Sequence, residues 1–255
     1  MKPDRPSGQQ IKNWRKLRQK KYRRDLGLFL AEGERCVEQI LHNRRIAVEA
    51  VLRSGSSGWT PDHAACPFYE LDERDFQAVA DTKNPQGVAA VCRIPPDISV
   101  DRMKTGKGLM IAVDGIRDPG NLGTMIRTAV WFGAGGLLCG NGSVDPYHPK
   151  VVRSTAGATG ALPVAGGELH PMLSLLEEQG WQVFLLQDGE ESAVLEEAGK
   201  TDRVILVVGN EANGVNQALF TGNRKRVCIR GQSETVESLN AAVALSIALY
   251  EMRRV

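Results

Sequence analysis

Four polar side chains stand where apolar runs of this chain give way to loops: Asn121 and Arg127 in VDGIRDPGNLGTMIRTAVWFGA (113–134), Glu211 in VVGNEANG (207–214) and Asn240 in VESLNAAVA (236–244). Each segment reads as a strand end followed by a tight loop, and the first runs on into a helix with one polar face. Two glycines around Glu211 let the backbone approach a ligand closely. Open α/β sheets bind ligands beyond the carboxyl ends of their strands. Three such loops are hard to explain as packing alone, and they are expected to form one active site.

DPGNLG also reads as a helix start, with Asp118 or Asn121 as the cap and Pro119 and Gly120 shaping the turn. Capping leaves Arg127 unexplained, a turn and a half into the helix among small and apolar residues. Leu122, Met125, Ile126, Ala129 and Val130 share one stripe at helical spacing, while Thr124, Arg127, Thr128 and Trp131 fall on the other side. Other chemistries find less support. Gly133, Gly135 and Gly136 follow a helix and not a strand, so they read as a C-cap and turn where a dinucleotide site would need a strand. No GxxxxGK[ST] occurs, which removes the usual basis for nucleoside triphosphate hydrolysis. His42, His63, His148 and His170 form no spaced pair with each other or with a cysteine pair, so no metal is expected. Cys36, Cys66, Cys92, Cys139 and Cys228 lie mostly in apolar runs and read as buried thiols.

At 255 residues, with 42% hydrophobic and 24% charged residues, the chain is long enough for two domains. It has no run of about 18 apolar residues and its N-terminus is basic and polar, so a soluble, cytoplasmic protein with no membrane association is expected. From Gly27 to about Pro96 the runs LFLAEG, RCVEQILHN, VEAVLRS, PFYEL, ERDFQAVA and GVAAVCRI read as strand, helix, strand, strand, helix, strand. PPDISVDRMKTGKG (95–108) has the composition of a linker. The division expected is a basic arm plus a small α/β domain over 1–104 and a second domain over 105–255. In the latter, GLMIAVDG, GGLLCGN, LPVAGG, WQVFLLQD, RVILVVGN and RVCIRG alternate with helical segments, which implies a largely parallel sheet covered on both faces. The last helix, Ser238 to Arg253, is apolar nearly all the way round. Its own sheet would cover one side and a second copy of the chain the other, so a homodimer through this helix is expected.

Net charge is only +2, but KNWRKLRQKKYRR (12–24) holds eight basic residues and no acidic one: Lys12, Arg15, Lys16, Arg18, Lys20, Lys21, Arg23 and Arg24. With Trp14 and Tyr22 interleaved, the run reads as a phosphate-binding surface that meets RNA through backbone contacts and stacking.

In order and content the three loops resemble the three motifs of the SpoU or TrmH family of RNA ribose methyltransferases, over about residues 108–255. DPGNLGTMIRTAVWFG matches the first, VVGNEANGV the second and ESLNAAVALSIALYE the third. The segments KLRQKKYRRDLGLFLAEGERCVEQIL and TKNPQGVAAV are similar to the ribosomal-protein-like RNA substrate-binding domain that many members carry. The resemblance implies an α/β fold whose C-terminal segment threads through a loop as a trefoil knot, with S-adenosylmethionine bent into it and a dimer completing the site. It implies that Asn121 and Arg127 handle the RNA ribose and phosphate, with Arg127 promoting loss of the 2′-hydroxyl proton, and that Glu211 and Asn240 order the site. Cofactor contacts would come from Gly209, Asn210, Glu211, Gly214, Ile229, Leu239 and Asn240. The chain departs from the family in CIRGQSETVESLN, where Arg230 stands in place of an expected Pro and one extra residue intervenes, and in SLNAA where SLNVS is common.

The implied reaction is an in-line displacement of a methyl group by a ribose oxygen of ribosomal or transfer RNA. Alignment alone can supply roughly 7–11 kcal/mol of such a barrier. Arginine is an awkward base, since the side chain ordinarily holds its proton to above about pH 12. Either the site overcomes that, or Arg127 stays charged beside the alkoxide while a phosphate or water takes the proton. Methylation of a base, and a non-catalytic RNA-binding assembly factor, are the alternatives.

Overall fold

The computed structural model describes residues 2–61, 66–103, 105–188, 192–195, 201–232, 235 and 238–253. They divide into two compact units, residues 1–96 with 145–161, and 97–144 with 162–255.

The first unit begins with α1 (Gly8–Lys16) and α2 (Lys20–Leu26), followed by β1 (Leu28–Glu32), α3 (Glu34–Asn43), β2 (Val48–Ser54), β3 (Phe68–Leu71), α4 (Glu73–Val79) and β4 (Val88–Arg93). The alternation of strands and helices is the one the hydrophobic runs lead one to expect. The sheet order is β1-β4-β2-β3, with β4 antiparallel to both neighbours and β2 parallel to β3. Successive side chains point to opposite faces of a strand, and both faces are covered here. Phe29, Ala31, Val51, Phe68, Ala90 and Cys92 pack with Cys36, Val37 and Ile40 of α3. On the other face Leu30, Leu52, Ala89 and Val91 pack with Trp14, Leu17, Phe76 and Val79.

The second unit contains β5 (Gly108–Asp114), α5 (Pro119–Trp131), β6 (Leu137–Gly140), then, past residue 161, β7 (Val164–Gly167), α7 (Leu169–Glu177), β8 (Gln182–Leu186), β9 (Ala193–Val194), β10 (Arg203–Gly209), β11 (Lys225–Cys228) and α8 (Ala241–Arg253). The helix α6 (Pro149–Ser154), which falls between β6 and β7 in sequence, belongs to the first unit. The sheet order is β7-β6-β5-β10-β8-β11-β9 and every ladder is parallel. β5 and β10 lie at its centre, and residues 109–113 and 204–209 are buried without interruption. That is the pattern of strands covered on both faces. From β5 the chain moves outward through β6 to β7, then returns to build the other half from β8 to β11. The strand order therefore reverses between β5 and β10, the place where an open parallel sheet leaves a crevice at its carboxyl edge.

Residues 145–161, which the sequence division assigns to the second domain, pack with the first unit. Tyr147 and Val152 join the core around Phe29 and Val37. Among the described residues no helix is long and apolar enough to cross a membrane, and no group of His, Cys, Asp or Glu is arranged to hold a metal ion. All five cysteines are free; Cys36, Cys92 and Cys228 are buried, Cys66 and Cys139 half-buried.

Candidate active site

Helix α5 starts at the carboxyl end of β5. Asp118 is its cap, accepting from the Asn121 N–H at 2.9 Å, and Pro119 occupies the first turn, where its missing N–H costs nothing. With Asp118 capping, the side chain of Asn121 is free to face away from its own helix. Its Nδ2 donates to Glu211 Oε1 at 2.6 Å and its Oδ1 accepts from Asn240 Nδ2 at 3.1 Å. Asn240 has a second task. Its Oδ1 accepts from the N–H groups of Ala242 and Val243, which caps α8 and sets that helix to begin at Ala241, three residues beyond the sequence expectation. One chain of side-chain hydrogen bonds thus joins the three loops, 90 and 119 residues apart in sequence.

Glu211 sits at the tip of a tight hairpin after β10, in which Asn210 and Gly214 exchange both backbone hydrogen bonds at 3.0 and 2.8 Å. Glycine is required at both feet. A Cβ on Gly209 would lie 2.1 Å from the Gly214 carbonyl carbon, and Gly214 has φ +67°. The hairpin is pinned from β5 as well. Asn210 Nδ2 donates to Gly115 O at 2.8 Å, and Asp114 accepts from the Asn216 N–H at 2.7 Å. Asp114 was not among the residues expected here, and its signal is a carboxylate closing an otherwise apolar strand.

Arg127 is not part of this network. It is exposed on α5 and has no hydrogen-bond or ion-pair partner among the described residues. It shares the outer side of α5 with Trp131, which is 85% exposed. Across from them α8 leaves Val243, Ile247 and Tyr250 exposed, although its other side, Ala241, Ala242, Leu245, Ala248 and Leu249, is buried. Of the remaining cofactor expectations, Ile229 follows β11 and is half-buried, and Leu239 is exposed just before the α8 cap. Residues 233, 234, 236 and 237, which include the start of the third motif, lie outside the described residues.

The basic arm belongs to the first unit, and it separates by residue. Lys12, Arg15, Arg18, Lys20, Lys21 and Arg24 are exposed, and Lys16 is half-buried. Lys16 and Lys21 hold their ammonium groups 5.2 and 6.0 Å from the Tyr22 ring centre. Arg23 departs from the expectation. It is 1% exposed, paired with Asp145 at 2.5 Å and donating to the Leu17 and Arg18 carbonyls, so its guanidinium is a core group with no free face for RNA. Trp14 is also core, tilted against Tyr69 at 5.6 Å, and offers no stacking surface.

A family model described as the SpoU rRNA methylase family matches residues 108–250, and one described as an MRM3-like substrate binding domain matches residues 8–90. The chain is 35% identical over 249 residues to the 23S rRNA (guanosine(2553)-2′-O)-methyltransferase RlmP of Bacillus subtilis, covering 96% of each. Among solved structures it is similar to an AdoMet-bound rRNA methyltransferase from Sinorhizobium meliloti, with TM-score 0.83, 26% identity and coverage of 99% and 97%. The SpoU methyltransferase AviRb from Streptomyces viridochromogenes superposes with TM-score 0.82, 26% identity and 97% of both chains.

Proposed function

The chain belongs to the SpoU rRNA methylase family, and on that premise we propose that it is an S-adenosylmethionine-dependent methyltransferase that modifies a ribose 2′-hydroxyl of ribosomal RNA. The observation that carries the reading is the hydrogen-bonded chain Glu211–Asn121–Asn240 at the carboxyl edge of β5 and β10. The cofactor supplies, when bound, a sulfonium whose methyl carbon is electrophilic without further activation. The residues fit such a group: Ile229 after β11 and Leu239 before α8 offer partly and fully exposed apolar surface, and the tight Gly209–Gly214 turn holds the backbone of the second loop in one conformation.

In this reading Asn121 holds the ribose. An amide has two N–H donors and two acceptor lone pairs, so after serving Glu211 and Asn240 it keeps one N–H and one lone pair for the sugar. The two partners fix which end of the amide is which. Arg127 steadies the alkoxide and an adjacent phosphate through its guanidinium fork while the proton leaves to phosphate or water. The exposed apolar face of α5 and α8 takes a second copy of the chain, and the dimer brings Arg127 to a site that one chain leaves incomplete. The C-terminal segment threads as a trefoil knot. The arm, through Lys12, Arg15, Lys16, Arg18, Lys20, Lys21 and Arg24, holds RNA backbone for the domain over 105–255, and the protein works in the cytoplasm.

The test is incubation with ribosomal RNA and methyl-labelled S-adenosylmethionine, followed by digestion to nucleosides and mass spectrometry; the relative in Bacillus subtilis makes 23S rRNA the first substrate to try. A labelled 2′-O-methylnucleoside is expected. A methylated base with an unmodified ribose overturns the reading, and so does intact RNA affinity with no S-adenosylmethionine binding.

A further inference from the structure

The strand order places the end of β8 between the ends of β10 and β11. β10 runs into the Gly209–Gly214 hairpin and β11 into Ile229, the two walls assigned above to the cofactor. The residue that follows β8 is Gln187, half-buried, and it touches both walls. Its backbone N–H donates to Val227 O at 2.9 Å, and its side-chain Oε1 accepts from the Val215 N–H at 3.0 Å. Its carbonyl also accepts from Ser192 Oγ at 2.9 Å.

Val215 is 1% exposed. Its N–H has no route to water, and Gln187 is the acceptor it finds. That requirement settles the orientation of the amide, since only the oxygen can accept. The amide also lies against the bare Cα of Gly214: a Cβ there would meet Oε1 at 3.0 Å and Cδ at 3.1 Å. Gln187 therefore sets where the far foot of the Glu211 hairpin sits relative to the strand end that leads to Ile229.

We propose that Gln187 is a positioning residue for the cofactor, acting through the Val215 N–H to hold the hairpin at the spacing the cofactor needs. The inference rests on the methyltransferase reading above. Among the described residues Gln187 makes its hydrogen bonds to Val215, Val227 and Ser192 and none to Asn121, Arg127 or Asn240, so its effect is expected on cofactor binding and not on the transfer step.

The experiment compares the full-length chain with Gln187→Ala and Gln187→Glu. The alanine variant leaves Val215 without an acceptor. The glutamate variant keeps one and gives up only an amide N–H that has no partner among the described residues. S-adenosylmethionine affinity is measured by calorimetry, kcat and KM with saturating rRNA, and Val215 amide exchange without cofactor. Gln187→Ala is expected to weaken the dissociation constant and KM for S-adenosylmethionine about tenfold, the loss of one buried hydrogen bond, with kcat changed no more than about threefold. Gln187→Glu is expected to stay within about threefold of the parent, and Val215 exchange to accelerate about tenfold in the alanine variant alone. Unchanged cofactor affinity in Gln187→Ala overturns the proposal, as does a glutamate variant as weak as the alanine one. If the parent chain fails to bind S-adenosylmethionine, the methyltransferase reading falls with the cofactor role, while Val215 exchange still reports whether the clasp exists.

Discussion

At the carboxyl edge of the central strands Asn121 is gripped from both ends by Glu211 and Asn240, and the hairpin that carries Glu211 is pinned by Asp114 and Asn210. On α5, outside that network, Arg127 is exposed with no partner among the described residues, and Trp131 of the same helix and Val243, Ile247 and Tyr250 of α8 are exposed as well. The first region is tied together within one chain: Asn121 is held at both ends of its amide, and one N–H and one lone pair are left over for a ligand. The second is unfinished, because a contiguous exposed apolar face usually marks a surface that something covers. On the function proposed above, positioning is built by the fold, whereas the charge is left for an assembled or substrate-bound state to place.

The largest effect is expected at the open face. Arg127→Ala should lower kcat about 10²–10³-fold, some 3–4 kcal/mol, the usual cost of losing one preorganised group at a developing oxyanion. S-adenosylmethionine affinity measured by calorimetry should not change, because Arg127 supports none of the hairpin. Arg127→Lys keeps a cation without the planar fork. Near-parental turnover in that variant would mean that the fork geometry has no part in the reaction.

Next comes the apolar rim of the same face. If a second copy covers it, Trp131→Ala should weaken self-association by about 2–4 kcal/mol, the range of an aromatic interface anchor. Sedimentation equilibrium reads this directly, and turnover per chain should then fall on dilution. A parent chain that stays monomeric at micromolar concentration would show that the open face belongs to some other contact.

The closed region should respond less. Asn121→Ala removes one hydrogen bond from each of Glu211 and Asn240, and exposed or half-buried groups recover part of that loss from water. A fall of about tenfold in kcat/KM, near 1.4 kcal/mol, is expected. Stability should change little, since Asn240 still caps α8 through Ala242 and Val243. A loss as large as that of Arg127→Ala would erase the distinction between a positioning network and an acting group.

The same contrast governs what could be read from the sequence. Strands such as VILVV were legible because burial on both faces writes a continuous apolar run, and the Leu122–Ala129 stripe because a helix repeats every 3.6 residues. The two-residue β9 carries no period at all. Asp118 and Asn121 were interchangeable caps on paper, and only the fold shows that Asp118 caps, which frees Asn121 for Glu211. Residues 145–161 join the first unit through Tyr147 and Val152, a matter of tertiary packing that no local pattern encodes. Arg23 is the sharpest instance: one of eight similar cations in a row, set apart by an aspartate 122 residues away.

That arm repeats the contrast between finished and unfinished groups at its smallest scale, and it yields the smallest expected effect. Lys20 and Lys21 are exposed, so each can meet an RNA phosphate and release about one counterion on doing so. Lys20→Ala with Lys21→Ala should therefore reduce the slope of log affinity against log salt by roughly one to two, weaken binding alike for all RNA sequences, and leave thermal stability unaltered. Arg23→Ala should do the reverse. It leaves Asp145 without its partner and the Leu17 and Arg18 carbonyls without their donor, so the melting temperature falls. Its salt slope should match that of the parent once the folded fraction is matched. A lysine pair that leaves the slope untouched would remove RNA from the exposed side of the arm. An Arg23→Ala variant with parental stability and a reduced slope would move the RNA contact to the arm cation that the structure buries.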